Sequence, residues 1–262
     1  MIRVGVFGAL GRMGAEVCRA VLADPETQLV AAVDPQANGE KIAVRGGSVT
    51  IGDEIDVISQ ADTDVVVDFT HPDAVMDNVR WCIRHAVHVV VGTTGLSDAN
   101  LDEMRALIAE EDSETNVFVA PNFAIGAVLM MRFAAQAARY LPHAEIIELH
   151  HNNKADAPSG TALATVDAML AARGPAPTDG VESVESIDGA RGAAVEGIHV
   201  HSVRLPGLVA HQEVILGGNG QTLTIRHDST DRSSFMPGVL LAVKHIHEHP
   251  GLTIGLENLL SL

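Results

Sequence analysis

The chain is short of aromatic residues, of cysteine and of positive charge, and each shortage excludes something. Aromatic side chains make up 3% of the 262 residues, with Trp81 and Tyr140 the single tryptophan and tyrosine. That is too few for the stacked rings that hold single-stranded nucleic acid. Lysine and arginine total 17 against 34 aspartates and glutamates, a formal net charge of −17. So acidic a chain repels phosphate backbones and anionic lipid, and neither nucleic acid nor a membrane is expected as a partner. An anionic ligand would then need a locally positive pocket, for which Lys154, Arg226 and Arg232 are candidate sources. The two cysteines, Cys18 and Cys82, fall in helix-like runs and suggest neither a disulfide framework nor a metal site. No apolar run approaches bilayer length. The opening Met1-Ile-Arg-Val-Gly-Val reads as a strand and not as a signal peptide. A reducing, cytoplasmic setting is the expectation.

Apolar residues make up 47% of the chain, and its length suits one large domain or two modest ones. The first half alternates strands and helices. An apolar strand over residues 2–7 runs into Gly8-Ala-Leu-Gly-Arg-Met-Gly14, then a helix over 15–22, then a strand over 28–33 that ends at Asp34. This is a βαβ unit with a glycine-rich first turn. The glycines are spaced G-x-x-G-x-x-G and not the commoner G-x-G-x-x-G, but the physics is the same. Small residues let the backbone approach a pyrophosphate, which sits on the helix N-terminus. Gly8, Ala9, Leu10, Gly11, Arg12 and Met13 are therefore candidate dinucleotide contacts. Asp34, 20 residues past Gly14, is placed to accept from the adenosine ribose. Its charge disfavours a 2′-phosphate, so NADH is slightly favoured over NADPH, although Arg12 can pair with that phosphate.

Residues 38–53 are glycine-rich and read as irregular around a short strand at 48–51. Buried strands are expected at 64–69, 88–91 and 116–120, with helices at 55–61, 74–85 and 98–111. The pattern predicts a doubly wound parallel sheet, whose ligands lie beyond the C-terminal strand ends. The unusual polar turns, at Gly8, Asp34, Phe69, Gly92 and Ala120, all fall at those ends. Past residue 121 the pattern changes. A long helix over 125–140 precedes strands at 144–149, 198–205, 210–216 and 221–228, with Gly217-Gly-Asn-Gly220 as a hairpin turn. Residues 175–194 read as an excursion, and a helix over 234–247 carries Pro237 in its first turn. The second part is thus α+β with a mainly antiparallel sheet. One face packs on helices and the other needs a cover, expected to be another subunit. Two crossings between the parts imply a cleft that closes over its ligands.

The most informative stretch is Glu148-Leu-His-His-Asn-Asn-Lys-Ala-Asp-Ala-Pro-Ser-Gly-Thr-Ala162, a strand end, a polar loop and a helix start. A helix N-terminus offers unpaired N–H groups to a carboxylate. Ser159 suits the cap, Gly160 allows close approach and Thr161 adds a donor. Lys154 supplies charge and a transferable proton, and His150 and His151 can exchange protons near neutrality. In a strand the two histidines point to opposite sides, so one of them reaches a ligand directly. Taken alone, the same residues also fit an ordinary cap and a solvated strand end. A metal is not expected, because His-His lacks ligand spacing.

This stretch closely resembles the signature of the dihydrodipicolinate reductase (4-hydroxy-tetrahydrodipicolinate reductase) family, Glu-x-His-His-x-x-Lys-x-Asp-Ala-Pro-Ser-Gly-Thr-Ala, with every fixed position present. Gly92-Thr-Thr94 and Ala120-Pro-Asn-Phe123 match further turns of the family. The resemblance implies a Rossmann-type domain over 1–121 and 233–262, and a substrate-binding and oligomerisation domain over 122–232. It implies NADH- or NADPH-dependent reduction of a dianionic cyclic imine, 4-hydroxy-tetrahydrodipicolinate, in lysine (diaminopimelate) biosynthesis. It implies that Gly92, Thr93, Thr94, Ala120, Pro121, Asn122 and Phe123 hold the nicotinamide half of the cofactor. Ser159, Gly160, Thr161 and His151 would bind substrate, while His150 and Lys154 move protons. Arg232 and Phe235 match positions near the hinge, and a homotetramer is implied through the second sheet. Two departures stand out: Asn152-Asn153 where relatives often carry basic residues, and Pro35 where some carry an arginine for the 2′-phosphate. Another amino-acid-pathway dehydrogenase would share the first half but has no use for His-His-x-x-Lys. A nucleotide sensor would need neither Lys154 nor the paired histidines.

Overall fold

The computed structural model describes residues 1–111, 113–174 and 184–260. The chain divides into two compact units, Met1–Phe123 with Phe235–Leu262, and Ala124–Ser234.

The first unit begins with β1 (Ile2–Phe7), α1 (Arg12–Ala23), β2 (Thr27–Val33), β3 (Lys41–Val44) and β4 (Gly47–Gly52). It continues through the short α2 (Val57–Gln60), β5 (Val65–Asp68), α3 (Pro72–Arg84), β6 (His88–Val91), α4 (Asp98–Glu110) and β7 (Val117–Val119). Helix starts are set locally. Pro72 occupies the first turn of α3, where its missing N–H costs nothing, and Ser97 with Asn100 forms a capping box at α4. Residues 38–53 are a hairpin and not an irregular stretch. Gly46, at a φ of +90°, lets β3 fold back on β4, and β4 in turn pairs with β2.

The second unit holds α5 (Ile125–Ala138), β8 (His143–His150), α6 (Gly160–Arg173), β9 (Ala193–Val195), β10 (Ile198–Arg204), β11 (Ala210–Gly218) and β12 (Gln221–Ser229). Its sheet runs β12-β11-β8-β10-β9, antiparallel except where β8 and β10 lie parallel. Along β8 the alternation expected of a half-covered strand is clear. Ala144, Ile146 and Glu148 are buried, and the residues between them are less so. Met130 and Ala134 of α5 and Val166 and Met169 of α6 pack with Ile146, Ile198 and Val214 in one apolar cluster. The opposite face carries polar pairs, Glu145 with His201 at 2.8 Å and Glu213 with Arg226 at 3.0 Å. Strand β9 begins at the end of the stretch expected to be an excursion, of which residues 175–183 lie outside the described residues.

The chain returns to the first unit through a 3-10 turn (Arg232–Phe235), α7 (Met236–His245) and β13 (Leu252–Ile254). The expected single helix over 234–247 is thus divided. The completed sheet runs β13-β7-β6-β5-β1-β2-β4-β3, parallel except for the β3–β4 hairpin. Strand β13, too short to be read from pattern, extends the sheet beside β7. Helices cover both faces, which is why Val65, Val66 and Val67 are all buried. Val66, Val89 and Val117 join Val75, Val79 and Met104 of α3 and α4, while α7 packs on β5 and β6 from the other side. Among the described residues no helix is long and apolar enough to cross a membrane.

Glycine permits a close packing at the end of β6. A Cβ on Gly92 would lie 2.2 Å from the ring of Phe69, which itself packs on Phe123 at 5.9 Å between ring centroids. Gly92→Ala is therefore expected to lower stability by about 1–3 kcal/mol. Chemical or thermal unfolding would read this, and an unchanged midpoint would contradict it.

Candidate functional site

In the first unit, the turn after β1 is built from backbone. Gly8, at a φ of +74°, and Ala9 both donate to the carbonyl of Val33, at 2.9 and 3.1 Å. A Cβ on Gly14 would sit 2.0 Å from the carbonyl oxygen of Gly8, so only glycine lets α1 start so close to the turn. Helix α1 begins at Arg12, three residues earlier than the pattern suggests, with Gly11 as an N-cap that makes no side-chain cap. Leu10 and Arg12 are exposed, Met13 half-buried. A helix N-terminus with small residues before it and no capping side chain across it fits a pyrophosphate. Asp34 is buried beside this turn and accepts from the Leu10 N–H and the Gln36 N–H, each at 3.0 Å. The acid thus braces the turn.

The turns after β5 and β6 meet on Asp68, which the sequence reading passed over. Its carboxylate has no exposed surface and accepts from the Thr70 N–H at 2.9 Å, the Thr70 and Thr93 hydroxyls at 2.8 Å each, and the Asn78 amide at 2.7 Å. Burial pushes the carboxyl pKa up despite these donors. Thr93 is buried and Thr94 exposed. Ala120 donates to the carbonyl of Val91 at 3.1 Å, and Pro121 is exposed beside the half-buried Asn122. Phe123 is buried against Phe69 and Phe118, so its ring is part of the packing that supports the turn.

In the second unit the signature stretch closes on one carboxylate, that of Glu148. It has no exposed surface. Arg204, at the end of β10, donates to both of its oxygens at 2.7 and 2.8 Å. The Ser159 N–H donates at 3.2 Å, and His150 Nδ1 lies 2.5 Å away. Burial pushes the Glu148 carboxyl up, but Arg204, Ser202 and His150 outweigh it and hold the pKa below the usual value. His150 is 14% exposed. Burial lowers its pKa, Glu148 opposes that, and the charges of Lys154 and Arg204 add to it. Lys154 Nζ bridges both Asp156 oxygens at 2.7 and 2.8 Å, and its N–H closes a turn onto the carbonyl of His151, whose side chain is exposed.

Helix α6 starts at Gly160, two residues earlier than the pattern suggests. Ser159 is its N-cap, its Oγ accepting from the Ala162 N–H at 3.2 Å. Gly160 and Thr161 then open the first turn, and a Cβ on Gly160 would meet nothing within 4 Å. The positive end of the helix thus faces open space at Gly160. Of the other cations proposed, Arg226 is bound to Asp228 and Glu213 on the face of the sheet away from Glu148, and so is not a source of charge for this site. Arg204 takes that place. Its contact depends on the parallel register of β10 on β8, which no local pattern reveals. Arg232 opens the 3-10 turn after β12.

Comparison with known proteins agrees with this geometry. Residues 2–123 match the family model for the dihydrodipicolinate reductase N-terminus, and residues 126–260 match the one for its C-terminus. A 4-hydroxy-tetrahydrodipicolinate reductase of Nocardia farcinica is 53% identical, over 100% of this chain and 99% of that protein. One of Thermobifida fusca is 54% identical over 100% of both. The solved dipicolinate-bound dihydrodipicolinate reductase of Paenisporosarcina sp. TG-14 superposes with a TM-score of 0.89 at 41% identity, covering 99% of this chain and 100% of that one.

The brace at Asp34 has a measurable consequence. Asp34→Ala leaves the Leu10 and Gln36 N–H groups without their acceptor and loosens the turn. Affinity for NADH, followed by fluorescence titration, is expected to fall about tenfold or more. Unchanged affinity would show that Asp34 is only a strand end.

Proposed function

The chain belongs to the dihydrodipicolinate reductase family, and we propose on that basis how its residues divide the work of an NAD(P)H-dependent 4-hydroxy-tetrahydrodipicolinate reductase of lysine biosynthesis. Reduced nicotinamide, when bound, supplies the hydride. The turn from Gly8 to Met13 holds the pyrophosphate on the N-terminus of α1, and Asp34 accepts from the adenosine ribose. Thr93, Thr94 and the backbone from Ala120 to Asn122 hold the carboxamide, with Phe123 packed beneath.

The substrate carries two carboxylates on a cyclic imine and loses water before C4 accepts hydride. One carboxylate is held by the N–H groups of Gly160 and Thr161, with Ser159 fixing the turn. His151 contacts the substrate from the strand end. Lys154 leaves Asp156 for the incoming dianion and supplies positive charge beside it. His150 is neutral before substrate arrives, because burial and the nearby cations lower its pKa. The substrate's negative charge raises it again, so His150 takes up a proton with the ligand and delivers it to the enamine left by hydride transfer. The observation that supports this most directly is the shared carboxylate. Glu148 binds both His150 and the Ser159 N–H, so the proton-transfer group and the anion-binding helix end belong to one hydrogen-bond network.

The cofactor preference follows from Asp34. NADH is used at least as well as NADPH, because the acid repels a 2′-phosphate that only Arg12 offsets. The assay generates the unstable substrate from aspartate semialdehyde and pyruvate with the upstream synthase, and follows oxidation of each cofactor. NADH oxidation that depends on this protein is expected. His150→Ala and Lys154→Ala are each expected to cut turnover by about 10²-fold or more with NADH affinity unchanged. Unaltered turnover in both variants would remove these roles.

The face of the second sheet that bears Glu145, Glu213 and Arg226 also exposes parts of Ile147, Leu149 and Ile215 between those charges. We propose that another copy covers it in a homotetramer. Light scattering should then report four copies of the 27.6 kDa chain, and a monomer would refute the assignment.

A further inference from the structure

We propose that Glu148 and Arg204 are a positioning pair that fixes which ring nitrogen of His150 faces the substrate. The assignment rests on the reading of His150 as the proton-transfer group. Glu148 has no accessible side-chain surface and so acts on a ligand only through its neighbours, and the Arg204 guanidinium is engaged by Glu148 and by the Asp156 carbonyl.

Glu148 receives two bonds from Arg204, one from the Ser159 N–H and one from the Ser202 hydroxyl, and it also meets His150 Nδ1. An ionised carboxylate only accepts. The proton of the 2.5 Å contact therefore sits on His150 Nδ1, and in the neutral ring the lone pair is on Nε2. Without the carboxylate the two tautomers would compete.

Arg204 keeps the carboxylate in that state. A buried carboxylate with no cation would either take a proton itself or draw one onto the imidazole. The bidentate guanidinium balances the charge and fixes the plane of the carboxylate. Its Nη2 also donates to the Asp156 carbonyl at 2.6 Å, so the same side chain holds the loop that carries Lys154. The parallel register sets Arg204 opposite His150 and Ser202 opposite Glu148, which brings the fork across to the carboxylate two residues back.

The charged groups facing His150 are few. Glu148 lies on its own strand, Lys154 and its partner Asp156 in the loop, and Arg204 on β10; β11 presents Ala210 and α6 begins with Ser159. Glu148 raises the pKa of the ring, and Lys154 and Arg204 lower it. The pair therefore predicts shifts of opposite sign. Glu148→Gln removes the anion, so His150 titrates lower. Its amide oxygen goes to Arg204 and Ser159, which turns the NH₂ toward the ring and moves the proton to Nε2. Arg204→Met removes the cation, so His150 titrates higher.

Both effects are read by ¹⁵N NMR of the His150 imidazole in the full chain without substrate, with kinetics in parallel. Nδ1–H in the parent, Nε2–H in Glu148→Gln and opposite titration shifts in the two variants support the pair. An Nε2–H parent, or shifts that are absent or of one sign, overturns it. Arg204→Lys keeps the charge and loses the fork; it should give a smaller shift of the same sign as Arg204→Met, and it serves if the Met variant does not fold. Turnover of Glu148→Gln is expected to fall about 10²-fold or more, with NADH affinity unchanged. The NMR measurement decides the pair on its own. A parent with this NMR pattern and no reductase activity would instead remove the functional reading.

Discussion

A carboxylate shut away from water must be given donors, and in this protein that requirement shapes the loops of both units. Asp68 and Glu148 each stand at or near the C-terminal end of a strand, and each has no exposed surface. Leaving either unsatisfied would cost more than one ordinary hydrogen bond returns. Asp68 recruits Thr70, Asn78 and Thr93, drawing the β5 turn, α3 and the β6 turn together. Glu148 recruits Arg204, Ser159 and His150, drawing β10, the start of α6 and the strand end together. The segments expected to touch ligand are in each case those tied to the buried acid.

The two acids differ in their partners, and the difference has chemical meaning. Asp68 meets only neutral donors, and burial dominates its ionisation. Glu148 meets a guanidinium, which together with Ser202 and His150 outweighs burial and holds its pKa below the usual value. The first arrangement suits a scaffold that orders hydroxyl groups. The second suits a site where a neighbouring imidazole has to gain and lose a proton, because the acid beside it stays fixed in charge. Close backbone packing completes the scaffold. Gly8, Gly14 and Gly92 stand where a Cβ would collide with the next turn or with Phe69.

Much of this was legible in the residue pattern. Continuous valine runs at 65–67 and 89–91 announce strands buried on both faces, and the structure has them in a parallel sheet. The apolar segment from Ala144 to Leu149 announces a strand, and the Pro-Ser-Gly-Thr turn announces the helix start. Asp68 could have been found, since it ends Val-Val-Val-Asp as Asp34 ends Ala-Ala-Val-Asp. Glu148 could not, because Ala-Glu-Ile-Ile-Glu-Leu-His puts apolar residues on both phases of the strand and only the packing of β8 shows which is buried. Arg204 could not. Its value depends on which strand pairs with β8 and in what register, and that is set by the packing of the whole second sheet. The same holds for β9 and β13, three residues each, which are strands only because a neighbour offers an edge. Arg226 misled for the mirror reason. A cation on a strand looks available until its cross-strand partners are known.

The most direct test of this account is a crystal structure of the chain with NADH and the flat dicarboxylate dipicolinate. The account requires one ligand carboxylate on the N–H groups of Gly160 and Thr161. It also requires Lys154 turned from Asp156 toward the ligand, and Glu148 still held between Arg204 and His150. A dicarboxylate bound away from the start of α6, or a Glu148 that had released His150 to receive it, would contradict the account at its centre.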